Sequence, residues 1–156
     1  MITEYGIEAK SNFEIISELG GRFKEKCYRH MKELLLVSIG SFFGGGLRYG
    51  VSKMVQSCAI IAFPFGTMAV NVLGCLIIGF LSGLNWNGSG LMSPSTKLLL
   101  TTGFCGGFTT FSTFMNEGSS LMKDGQYAYM MLYIFGSLTL GLIAVLAGQQ
   151  LAKMAG

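Results

Sequence analysis

The chain has 156 residues, 51% of them hydrophobic and 12% charged, with a net charge of +3. That is about half the charge of an average soluble domain, in a length that suits a single domain. The single histidine excludes a bis-histidine haem site or a multi-histidine metal cluster built by one subunit. Glycine is frequent at 23 residues, but with only 2 prolines the composition is not that of a disordered linker.

Charge is unevenly placed. Residues 1–33 hold six basic and six acidic residues, whereas the remaining 123 hold only Arg48, Lys53, Lys97, Glu117, Lys123, Asp124 and Lys153. A soluble domain cannot cover its surface with so few charges, so the body is expected to be solvated by lipid. Two regions follow: a charged extension over 1–33, cytosolic or interfacial, and a membrane body over 34–156.

The extension is not a cleavable signal, because acids are interleaved with its bases and no short apolar run precedes an Ala-x-Ala-like site. Phe13, Ile16, Leu19, Phe23, Cys27 and Met31 recur at a loose helical spacing, which suits either an interfacial helix or a partly helical tail. Gly20-Gly21 is expected to interrupt either one.

Crossing ~30 Å of hydrocarbon takes ~20 mostly apolar residues. Four segments qualify: about 34–52, with Arg48 in its last turn; about 66–84, after a loop containing Pro64; about 97–121; and about 127–152. The second and third are joined by Asn85-Trp86-Asn87-Gly88-Ser89-Gly90. Trp86 and Tyr127 fall at span ends, where amphipathic rings favour the headgroup level. Basic residues at the ends of the body nearly balance, so Lys24, Lys26, Arg29 and Lys32 bias the N-terminus towards the cytoplasm if the chain inserts one way. Gly40/Gly44, Gly46/Gly50, Gly79/Gly83 and Gly103/Gly107 stand four apart, a spacing that lets helices approach closely. Cys75 and Cys105 lie within spans and Cys27 and Cys58 outside, with no metal-binding spacing, so four free thiols are expected.

Two features resist a purely lipid-facing reading. Asn71, with Thr67 one turn before it, places an amide inside the second span; it is either an interhelical hydrogen bond or a pore-lining donor. The third span reads Gly103-Phe104-Cys105-Gly106-Gly107-Phe108-Thr109-Thr110-Phe111-Ser112-Thr113-Phe114, poor helix material at mid-membrane. A helix break there is tolerated only where the freed backbone groups are buried in protein or line a hydrated site. Free carbonyls coordinate hard cations such as Na⁺. Phe111 and Phe114 share a face beside Thr110, Ser112 and Thr113, and Glu117 follows one turn on as a candidate pore-mouth acid.

Gly44-Gly45-Gly46-Leu47-Arg48-Tyr49, then Gly66-Thr67-x-x-x-Asn71-x-x-Gly74, then Gly103 to Phe114 with Glu117, resemble the Fluc (CrcB-type) fluoride channel family over about 37–152. The resemblance implies an all-α membrane protein of four transmembrane helices, broken in the third, packed as an antiparallel, dual-topology dimer in the plasma membrane. It implies passive export of fluoride that relieves fluoride toxicity. Asn71, Phe111 and Phe114 map to pore residues; Thr67, Ser112, Thr113, Glu117, Tyr133 and Ser137 map to a polar track; Arg48 maps to a vestibule arginine. A structural Na⁺ at the dimer centre maps to the backbone carbonyls of Gly106 and Thr109. The implied partners are fluoride, the bilayer, and either a second copy or an oppositely oriented homologue, because the basic extension biases insertion. No nucleic-acid partner is expected. Asn71 and hydroxyls would replace fluoride's water with donors, and phenylalanine edges would meet the anion with their positive rim. A small proton-coupled transporter is less well served, since no carboxylate lies deep in the first or second span. A non-transporting assembly subunit leaves Asn71 and the broken span unexplained. An enzyme is least supported, because the spans hold no paired carboxylates and no nucleophile–base set.

Overall fold

A computed structural model describes residues 2–59, 61, 63–84 and 92–155, with side chains over 17–154 of these. Among the described residues all regular structure is helical. The loop 85–90 with Trp86, and the side chains of Phe13 and Ile16, lie outside the described residues. The chain forms two compact units, one ending at Leu35 and the other beginning at Leu36.

Helix α1, Ile2–Ser57, runs through Gly20-Gly21 without a break, against the expectation. Glycine costs a helix only about 1 kcal/mol relative to alanine, and the local side chains offset it. Arg22 donates to Glu18 at 2.7 Å, the Lys32 ammonium lies 4.4 Å from the centre of the Tyr28 ring, and His30 stands 3.4 Å from Glu33. These are the i,i+3 and i,i+4 pairings that support exposed helices.

In the second unit, α2 is Phe65–Leu84 and α6 is Tyr127–Ala155. They pack closely along their lengths, and glycine is the reason. A Cβ on Gly79 would run into the backbone of Val145, and one on Gly148 into the backbone of Leu76 and Phe80. Gly40, Gly44, Gly103 and Gly107 seat α1 against the third apolar segment in the same way, with Ser41 donating to the Gly103 carbonyl at 3.2 Å. Gly46 and Gly50 do not conform: both face open space.

The third segment is built from pieces. Ser93 caps α3, Pro94–Leu98, with proline at its first turn; a π-helical stretch, Leu99–Cys105, follows, then α4, Gly106–Phe108, and α5, Phe111–Lys123. The π stretch was not foreseen. Its ladder is loosened by hydroxyls that take helix carbonyls, Thr101 to Lys97 at 2.7 Å and Ser41 to Gly103. Gly106 does not open the segment: it is helical, and the chain turns extended at Thr109 (φ −88°, ψ 160°) and Thr110 (φ −149°, ψ 118°). Threonines accept extended backbone readily, whereas glycine is not needed for it. Thr110 then caps α5, its hydroxyl accepting from the Thr113 N–H at 3.3 Å. At the far end of α5, Gly125 (φ +70°) turns the chain, with Gln126 N–H donating to Leu121 and Gly125 N–H to Met122.

Among the described residues, three helical stretches are long and apolar enough to cross a membrane: Ser17–Ser57, Phe65–Leu84 and Tyr127–Met154. Their outer faces expose Phe42, Leu47, Phe135 and Leu142, the reverse of a soluble surface. Inside, Phe63, Phe114, Leu121 and Tyr133 form a core joined by Phe65, Met68, Met130 and Ile134.

Candidate functional site

The break at Thr109-Thr110 is where the second unit gathers its polar groups. Two extended residues leave backbone groups without a helical ladder, and Asn71 of α2 supplies one. Its Oδ1 accepts from the Thr110 N–H at 2.8 Å, and its Nδ2 donates to the Thr110 carbonyl at 3.1 Å. An asparagine side chain thus stands in for a strand partner and keeps one further N–H. A continuous helix would send the N–H of Thr110 to Gly106 and that of Thr113 to Thr109. Here they go to the Asn71 side chain and to the Thr110 hydroxyl. The carbonyls of Gly106 and Thr109 are therefore left for other partners, which suits a hard cation taking oxygen ligands.

One turn beyond Thr113, Glu117 collects two hydroxyls. Thr67 donates to its Oε1 at 2.9 Å and Tyr133 to its Oε2 at 2.7 Å, which ties α2, α5 and α6 together. Tyr133 is fully buried and its ring packs 4.9 Å from Phe114 and 5.7 Å from Phe63. Such charge-assisted bonds are the strong class.

Two open clefts meet at this site. The first, about 630 Å³, is lined by Arg48, Lys53, Gln56, Thr67, Thr113 and Glu117 among others. The second, about 550 Å³ and more apolar, is lined by Asn71, Gly106, Thr109, Phe111, Phe114 and Ser137 among others. Thr110 lines both and forms the septum between them. Phe111 and Phe114 are 6.1 Å apart between ring centres, yet Phe114 is 5% exposed and Phe111 is 73% exposed. The Ser137 hydroxyl is buried and has no hydrogen-bond partner among the described residues.

Thr67, Asn71, Thr113, Glu117 and Tyr133 are thus brought together, with Phe114 against them and Arg48 at the first cleft. Ser112 is exposed on α5 and does not join them. Sequence reasoning missed three contributors. Thr110 is the septum; a threonine three residues before Thr113 at the start of a helix was its capping signal. Gln56 ties α1 to α2, donating to the Phe63 carbonyl at 3.0 Å and accepting from the Gly66 N–H at 3.1 Å. Phe63 is buried in the core from a loop position, and nothing in its spacing announced that.

Apolar helices, an interrupted segment and polar groups clustered at the interruption define a multi-pass membrane protein with an internal polar site. The family model described as "CrcB-like protein, Camphor Resistance (CrcB)" matches residues 35–149, and the chain belongs to this family. It is 51% identical over 124 residues to a fluoride-specific ion channel FluC of Chlorobaculum tepidum, covering 80% of this chain and 97% of that protein. It is 49% identical over 121 residues to a protein of the same name in Chlorobium phaeobacteroides, covering 78% and 93%. A Bacteroides fragilis protein, also so named, is 44% identical over 126 residues, covering 79% of this chain and 98% of the relative.

Proposed function

We propose that this chain is a fluoride-selective channel that exports fluoride passively across the plasma membrane, as an antiparallel dimer of four-span subunits. The observation that carries it is the set of relatives 44–51% identical over most of the chain and named fluoride-specific ion channels. The clustering of Asn71, Thr113, Glu117 and Phe114 around a broken segment supports it.

Segment Pro94 to Lys123 completes the set of four as the third span, crossing in two pieces. Arg48 and Lys53 draw anions into the first cleft. Beyond them the anion trades water for protein donors. Asn71 keeps one N–H for it, and the Thr67 and Tyr133 hydroxyls, held by Glu117, can rotate from the carboxylate to the anion. The edges of Phe111 and Phe114 then carry it through an apolar stretch without bulk water. Binding must stay weak enough for release.

The exposed ring of Phe111 supports a dimer, because Phe111 lines the open second cleft and a second subunit would cover both. A second copy is the preferred partner, since the body carries almost no orientation bias; an oppositely oriented homologue is the alternative. The carbonyls of Gly106 and Thr109 from both subunits would hold a Na⁺. Its positive charge would favour anions in the neighbouring clefts.

Purified protein in liposomes is expected to release fluoride, but not chloride, down a gradient. Equal release of the two anions, or of neither, overturns the reading.

A further inference from the structure

Asn71 does more in this structure than offer a donor. Its amide oxygen and one of its two N–H groups are spent on one residue, accepting from the Thr110 N–H at 2.8 Å and donating to the Thr110 carbonyl at 3.1 Å. Thr110 itself is buried, 9% exposed, and both of these backbone groups are paired with the amide. Without the amide, both groups need partners, because unpaired backbone groups are rarely tolerated in a dry interior. The nearest remedy lies in the chain. The Gly106 carbonyl sits four residues earlier, in helical backbone (φ −62°, ψ −38°) that runs on to Phe108, where a helical Thr110 would donate to it.

We propose that Asn71 is a positioning residue: its side-chain amide holds the third segment broken at Thr109-Thr110 by taking the partners that would close the helix. The oxygen does the larger part, because it alone diverts the Thr110 N–H from Gly106. The nitrogen finishes the pairing. The Thr110 hydroxyl acts with it by capping Thr113 and fixing where α5 starts. The second cleft follows from this, since Gly106, Thr109 and Thr110 all line it. Asn71 therefore shapes the cleft wall and leaves the Gly106 and Thr109 carbonyls of that wall without their helical donors, separately from any contact with an anion. The proposal rests on the channel reading only for its transport readout.

The test is solid-state NMR of threonine-labelled protein in liposomes, with fluoride release measured on the same vesicles. In the wild type, Thr109 and Thr110 are expected at extended-backbone shifts. Asn71→Leu and Asn71→Ser, which lack the amide, are expected to lose those shifts for helical ones and to lose fluoride release. Asn71→Asp keeps an acceptor for the Thr110 N–H, so it should retain the extended shifts while its charge abolishes release. Extended Thr110 shifts persisting in either Asn71→Leu or Asn71→Ser overturn the proposal, whatever the flux. So do helical shifts in Asn71→Asp. A wild type that releases no fluoride overturns the channel reading instead and leaves the threonine shifts to decide this one. Two variants without the amide are used so that one failing to fold does not remove the test.

Discussion

Phe111 and Phe114 are three residues apart on one helix, and the protein uses them differently. Phe114 is buried against Tyr133, whereas Phe111 projects from the subunit. Replacing either ring with Ile removes an aromatic edge but keeps most of the volume. Phe111→Ile should therefore reduce fluoride release at least tenfold with little change in thermal unfolding in detergent. Phe114→Ile should reduce release and also lower the unfolding midpoint, because a branched side chain repacks poorly in a filled core. Equal stability of the two variants would contradict this division. Glu117 makes the same point about context. From sequence it was an acid near a pore mouth; in the structure it is a hub whose two oxygens are both taken by hydroxyls from other helices.

At the scale of elements, the bounds of α2 and α6 were legible because apolar runs report them directly, whereas α1, Ile2–Ser57, runs well beyond the expected 34–52. The expected span 66–84 differs from Phe65–Leu84 by one residue. Three of the four glycine pairs do seat helices against each other, while Gly46 and Gly50 face open space, since spacing alone does not say which face meets a neighbour. Gly79 is the sharpest case. Gly79→Val sets a branched side chain against the Val145 backbone, which cannot retreat without parting α2 from α6. The cost should be about 1–3 kcal/mol or more, read as a lower unfolding midpoint. Gly20→Ala, on an exposed helix with no neighbour near its Cβ position, should not lower that midpoint, since alanine favours the helix by about 1 kcal/mol. The break in the third segment was expected, but its position was not. Low helix propensity marked the region from Gly103 to Thr113, and only the partner from α2 selected Thr110 within it.

For the whole molecule, the outer faces and the open second cleft call for a covering surface, and the proposed cover is an inverted second copy. The native thiols test it. Cys58 is exposed just after α1, and Cys75 and Cys105 lie within the apolar segments. With Cys27→Ser to isolate the site, a membrane-impermeant maleimide should label Cys58 from both sides of the membrane in comparable amounts. Labelling from one side alone would replace the antiparallel homodimer with a single orientation and an inverted homologue as partner.

The sequence by itself determined the solvent of this protein, its apolar helices, its weak third segment and its family. Composition, run length and an extended ordered motif carry those properties locally, and no contact is needed to read them. Only the tertiary structure decided where the helix breaks, which hydroxyls hold Glu117, that Thr110 divides two clefts, and that Gln56 and Phe63 belong to the site's support. Each of these is a pairing between residues on different elements. The low charge that first marked the chain as a membrane protein is also the physical reason: with little water inside, every buried polar group must find a partner in the protein. That partner is chosen by packing, which a linear chain does not display.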